Sequence, residues 1–133
     1  MKSITTTIET RQCKTIFPGT WNANETLFGG EALKWMDEVA FITATRFTRQ
    51  KMFTVKISDI VFKKPAYKVS FVEVIGKVAE VSSSRIKVTV EIFVEDMYSE
   101  ESAEKAVEGH FFFAALDEKR KPQRIQFREN ILF

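Results

Sequence analysis

Asp37 is the residue of this chain that packing alone explains least well. In the stretch WNANETLFGGEALKWMDEVAFITA, residues 21–44, apolar and small side chains recur at three- and four-residue steps: Ala32, Trp35, Met36, Val39, Ala40 and Thr43. That is the period of one helix face. The opposite register carries Glu31, Lys34 and Glu38, whereas Asp37 sits immediately beside the apolar stripe, near Trp35, Met36 and Phe41. A carboxylate in that position is costly to bury unless something pairs with it or uses it. It is either a reactive group, such as a general base, or a structural acceptor for a neighbouring backbone donor.

Two further features precede the helical pattern. Asn22 and Asn24 suit a turn or a helix entry. Gly29 and Gly30 stand where the helix begins. Glycine lets another backbone or a ligand come close, because no Cβ intervenes. The first amides of a helix are free and carry the positive end of its dipole, so such a terminus can hold an anion or polarise a carbonyl oxygen. Tight packing against a sheet is the alternative use for the same pair.

The elements that must position these residues follow from the pattern. Residues 3–14 alternate weakly and are expected to form a first strand, with Ile4, Thr6, Ile8 and Thr10 on one side. Residues 16–25, with Pro18 and Gly19, form a loop. The helix is expected from Gly30 to about Arg49, roughly 30 Å at 1.5 Å per residue. Strands follow at 52–62, with a bulge near Asp59 and Ile60, and at 69–81, where Gly76 marks a bulge or a close backbone approach. Ser82, Ser83 and Ser84 make a turn into 86–95, the cleanest alternation in the chain. A polar loop over 97–105 leads to a last strand at 106–116, and residues 118–133 carry no assignable pattern. The fold class is therefore α+β, one domain over residues 1–133, with an antiparallel sheet curved around one long helix.

Composition narrows the function. Hydrophobic residues make up 44% of the 133 residues and the formal net charge is +2, which suits a globular protein and argues against a nucleic-acid binder. Cys13 is the single cysteine, so there is neither a disulfide framework nor a cysteine metal cluster. No secretion signal or apolar run near 18 residues is present, so a cytosolic setting and no membrane contact are expected. Thirteen phenylalanines are a large number for this length and suggest a subunit interface.

The order Asn22-Ala-Asn24-Glu25-Thr26-Leu-Phe28-Gly29-Gly30, then Trp35-Met36-Asp37-Glu38, then Phe53-Thr54-Val55 and Phe62-Lys-Lys-Pro65, resembles the acyl-CoA thioesterases of the hotdog fold. The likeness runs on through the serine turn to Ala115-Leu116-Asp117. It implies hydrolysis of an acyl-CoA thioester without a metal or cofactor, coenzyme A being part of substrate and product. Asp37 would be the general base or nucleophile, and Asn22 would help position water and substrate. The amide of Gly30 or its neighbour would polarise the carbonyl, and Asn24, Gly29, Ser83, Ser84 and Arg85 would contact the substrate. Such enzymes are dimers at minimum and here a hexamer of three dimers is expected, with Asn22 and Asp37 of one site coming from different subunits. Two departures stand out. The family usually has Gly where this chain has Glu25, which bears on the loop's path, and a Gly-Asp turn where this chain has Val69-Ser70.

Other readings remain open from the residues. Glu25 could disable the loop, leaving a non-catalytic acyl-CoA-binding or regulatory module. A hotdog dehydratase would need a histidine near the helix, whereas His110, the single histidine, falls in the last strand and reads as structural. Lys63, Lys64 and Arg85 could meet phosphates or simply be solvated, and Cys13 has no local support as a nucleophile.

Overall fold

The computed structural model describes residues 1–4, 6 and 8–126. The chain runs β1 (Lys2–Ser3), β2 (Glu9–Thr15), α1 (Gly29–Thr48), β3 (Lys51–Phe62), β4 (Ser70–Val81), β5 (Ile86–Asp96), β6 (Glu104–Leu116) and β7 (Pro122–Gln123). All strand pairings are antiparallel, in the order β1-β4-β5-β6-β3, with β2 also on β4 and β7 also on β6. This sheet wraps the single long helix, which is the hotdog arrangement expected from the sequence.

The helix earns its place by burial. Ala32, Trp35, Met36, Val39, Ala40, Thr43, Ala44 and Phe47 are buried on one face. They meet the inward positions of the sheet, among them Val74, Val90, Ile92, Phe111 and Phe113, all fully buried. Each such large side chain contributes about 1.5–3 kcal/mol. Gly76 is the point of closest approach: a Cβ there would lie 2.7 Å from Thr43 Oγ1 and 2.8 Å from Val39 Cγ1. The glycine in β4 therefore lets α1 settle onto the sheet.

Two differences from the sequence reading stand out, and the expected bulge in β3 is found. The expected first strand is broken into β1 and β2, with Ile4 and Ile8 packed against the core between them and residues 5 and 7 outside the described set. The unassigned tail contains β7, and Ile125 beyond it is buried and donates its amide to Ser83 O at 2.9 Å; residues 127–133 lie outside the described residues. The bulge in β3 is present between Ser58 and Val61, where Asp59 takes a positive φ of 54°. It turns Ile60 inward over Gly109, whose missing Cβ leaves room for it.

Candidate active site

Asp37 lies midway along α1, half-buried, facing the edge strand β3. Its Oδ1 accepts a hydrogen bond from Thr54 Oγ1 at 3.1 Å. Thr54 thus holds one carboxylate oxygen, and among the described residues the other has no partner. A shallow depression of about 340 Å³ opens here, lined by Asp37, Glu38, Phe41 and Ile42. A carboxylate fixed by a hydroxyl on one side and open on the other can take a proton from water. Pattern alone marked Thr54 only as a strand residue inside the motif; its part in the site needed the register that sets it against the helix.

Asn22 stands in the loop before the helix. Its Oδ1 accepts from the Asn24 amide at 2.8 Å, the Thr26 amide at 3.3 Å and the Thr26 hydroxyl at 3.1 Å. The loop is docked through Leu27 N to Ala66 O at 2.8 Å and Lys68 N to Glu25 O at 3.1 Å. Asn24 itself is exposed and contributes its amide to the turn. Glu25 adopts φ 60°, the left-handed conformation that glycine takes without cost. The loop therefore keeps the backbone of a glycine turn despite the substitution, and Lys68 Nζ pairs with Glu25 Oε1 at 3.0 Å. The second departure is milder: Val69 and Ser70 turn the chain into β4 without a positive φ.

The helix opens at Gly29, one residue earlier than expected. Phe28 caps it with extended backbone and no side-chain hydrogen bond. Among the described residues the amides of Gly29, Gly30 and Glu31 have no acceptor, since the first helical bond runs from Ala32 N to Phe28 O. A Cβ on Gly29 would come within 3.3 Å of Phe62 Cζ, but one on Gly30 would meet nothing within 4 Å. Packing within the chain thus accounts for Gly29 and not for Gly30. An apolar recess of about 250 Å³ lies alongside, lined in part by Leu27, Ala32, Phe62, Ile92 and Val107.

The remaining candidates are placed elsewhere. Ser83, Ser84 and Arg85 form the hairpin between β4 and β5, closed by Ser82 N to Arg85 O at 2.8 Å and by the Ser82 hydroxyl, which accepts from Arg85 N at 3.0 Å. The far end of α1 lies on this side of the sheet, because Arg46 Nη1 donates to Glu9 O and Glu9 pairs with Lys77 of β4. Within one chain the turn and the glycine-opened terminus are therefore separated by most of a helix about 30 Å long. No hydrogen bond joins Asn22 to Asp37 among the described residues. Lys63 pairs with Glu108 at 3.1 Å, holding that carboxyl below its usual range, and Lys64 pairs with Glu104. His110 Nδ1 sits 3.0 Å from Thr89 Oγ1 on the outer side of the sheet, away from α1. A hydrogen bond to Glu73 pushes the Cys13 thiol up, the wrong direction for a nucleophile. Among the described residues no cluster of His, Cys, Asp and Glu could hold a metal ion, and no helix is long and apolar enough to cross a membrane.

Comparison with known proteins gives this geometry its context. Residues 24–101 match the model of the thioesterase superfamily. The uncharacterized acyl-CoA thioester hydrolase YkhA of Bacillus subtilis is 32% identical over 124 residues, covering 87% of this chain and 72% of that one. An acyl-CoA hydrolase of Staphylococcus aureus, solved with butyryl coenzyme A, coenzyme A and coenzyme A disulfide, is 25% identical with a TM-score of 0.80 over 90% of this chain and 70% of that one. An apo-hexameric acyl-CoA thioesterase is 25% identical with a TM-score of 0.85, covering 93% of this chain and 79% of that one. With the fold, the motif order and these matches in agreement, this chain belongs to the thioesterase superfamily, in the family of the acyl-CoA thioester hydrolases.

Proposed function

We propose that this protein hydrolyses an acyl-CoA thioester to the free acid and coenzyme A, with Asp37 as the base. The observation that carries this is Asp37 itself, fixed by Thr54 at one oxygen and open at the other. Water attacks the thioester carbonyl carbon and gives its proton to Asp37. The negative charge that grows on the carbonyl oxygen is met by the free amides at the start of α1, which include that of Gly30. Collapse of the tetrahedral species breaks the C–S bond, and the thiolate of coenzyme A leaves and takes up a proton. A thiolate is a good leaving group, so positioned water, a base and an oxyanion site suffice without a metal or cofactor. The apolar recess beside the terminus is available to the acyl chain.

Residue spacing in the S. aureus enzyme supports the same assignment. Alanine variants of it alter an asparagine, an aspartate and a threonine, separated by the same steps of 15 and 17 residues as Asn22, Asp37 and Thr54 here. The non-catalytic alternative rested on Glu25, and that residue keeps the glycine-like turn.

The complete site needs a second copy. Strand β3 pairs only with β6 among the described residues and exposes Phe53, Ile57 and Val61, while exposed Phe41 of α1 lies 6.5 Å from Phe113, the β6 partner of Thr54. Such an edge calls for cover. Two copies joined about a two-fold axis along β3 would set the Asn22 loop and helix terminus of one against Asp37 of the other. They would also bring the Ser83–Arg85 turn of one copy to the end of the molecule where its partner's glycine pair lies. Three such dimers would make a hexamer in the cytosol. The test is complementation. Asn22→Ala and Asp37→Ala proteins, each inactive alone, are unfolded together and refolded as mixed dimers. Shared sites regain roughly a quarter of wild-type thiol release, because half the dimers are mixed and each carries one intact site. No recovery would contradict the shared site.

A further inference from the structure

The apolar recess beside the start of α1 has a mouth, a closed end and, among the described residues, no unpaired charge. Phe62 stands at the mouth, 55% exposed, its ring tip 3.3 Å from where a Cβ on Gly29 would lie. Ile92 and Val107 line the other end, 0% and 3% exposed, paired with each other in the β5–β6 register. Exposure falls from the helix terminus inward, so the recess opens there and ends on the sheet. Ala32 also lines it, and the Ala32 amide follows directly on the free amides of Gly29, Gly30 and Glu31. A carbonyl held by those amides would therefore have its acyl chain beside the Ala32 methyl. Two more lining residues, Leu27 and Ala66, are tied together by Leu27 N to Ala66 O at 2.8 Å.

The polar side chains at the recess, those of Lys63 and Lys64, are turned to carboxylates on β6. Lys63 Nζ lies 3.1 Å from Glu108 Oε2, and Lys64 pairs with Glu104. The backbone amides of both lysines donate to Ala106 O, which holds their segment to β6 as well. The recess has a volume of about 250 Å³. With about 30 Å³ for a group the size of water, it holds roughly eight such groups.

We infer that this recess selects the acyl group: it takes a straight, uncharged chain of up to about eight carbons, with Ile92 and Val107 setting the length limit and Ala32 the width of the entrance. This rests on the thioesterase reading and names its substrate. A longer chain must push aside buried side chains packed as densely as an organic crystal. A carboxylate at the end of the chain would lie against Ile92 and Val107 while both nearby ammonium groups are engaged elsewhere. It would lose its hydration and gain no partner.

The experiment measures kcat/KM and the thermal midpoint with acetyl-, butyryl-, hexanoyl-, decanoyl- and glutaryl-CoA, for wild type, Ala32→Val and Val107→Ala. Wild-type kcat/KM is expected to rise about fourfold for each methylene from acetyl to hexanoyl. It is expected to fall about tenfold from hexanoyl to decanoyl. Glutaryl-CoA, close to hexanoyl-CoA in length, is expected about a hundredfold below it. Ala32→Val narrows the entrance and should lower the hexanoyl-to-acetyl ratio about tenfold, whereas Val107→Ala deepens the closed end and should raise the decanoyl-to-hexanoyl ratio about tenfold. The two variants push in opposite directions, and either one decides if the other does not fold. The inference is overturned if glutaryl-CoA comes within about threefold of hexanoyl-CoA, if decanoyl-CoA is the better wild-type substrate, or if a folded variant keeps its wild-type ratio. A wild-type protein that releases no thiol counts against the thioesterase reading alone. Hexanoyl-CoA raising the midpoint more than glutaryl-CoA and coenzyme A do would then uphold the recess, and equal shifts would overturn it.

Discussion

The two ends of α1 are finished in opposite ways. At the C-terminal end Arg49 turns into the left-handed region at φ 57° and donates its amide to Thr45 O at 2.6 Å. Thr48 Oγ1 donates to Ala44 O and accepts from Gln50 N, while the Gln50 side chain ties Arg124 and Gln126 of the C-terminal segment to the helix end. At the N-terminal end Phe28 supplies no side-chain cap, and the amides of two exposed glycines face outward. Basic Arg46 complements the last turn and acidic Glu31 the first, so the dipole is answered at both ends; what differs is the hydrogen bonding. An end tied by these bonds to the chain's own residues is doing structural work. The open end is where the proposed reaction would place the thioester carbonyl.

Substitutions at the two ends should therefore separate stability from activity. Gly30→Ala meets nothing within 4 Å in the chain and replaces a flexible residue inside a helix. It is expected to hold or raise the melting point while cutting turnover by about 10²-fold, because a methyl group over the amides displaces the carbonyl by about an ångström. At the closed end the expected pattern reverses. Thr48→Ala and Gln50→Ala each remove hydrogen bonds worth about 1 kcal/mol, lowering the thermal midpoint with kcat unchanged. The smallest effect belongs to Glu25→Gly, which relieves a left-handed glutamate and gives up an exposed ion pair to Lys68. A net gain of about 0.5–1 kcal/mol in urea unfolding, with activity kept, is the expected outcome. A large loss of activity there would mean that the Glu25 carboxylate itself serves the reaction.

How much of this could be read from residues alone depended on the range of the interactions. The helix showed itself through its period, because burial of one face every 3.6 residues leaves a trace that survives any tertiary detail. The break in β3 near Asp59 and the close approach at Gly76 were also visible, since each interrupts a two-residue alternation. The split between β1 and β2 was not, because weak alternation of threonines and isoleucines does not say where pairing with β4 lapses. Strand β7 was hidden for a similar reason: two residues, one of them a proline, carry no period, and their pairing with Ala115 and Leu116 is set by the turn at Asp117. In the site, Asp37 stood out by its conflict with the apolar stripe. Thr54 did not, since only the β3–β6 register and the docking of α1 reveal which of its neighbours it touches. The polarity of Asn22 was likewise out of reach, because any of its four hydrogen-bonding positions could have faced the loop.

The central claim is that Asp37 takes a proton from water at a thioester. It is tested most directly by thiol release from a short-chain acyl-CoA, comparing wild type with Asp37→Ala at matched folding by circular dichroism. The account requires an active wild type and a loss of about 10²–10⁴-fold in kcat for the variant. An Asp37→Ala protein that turns over at the wild-type rate would contradict it.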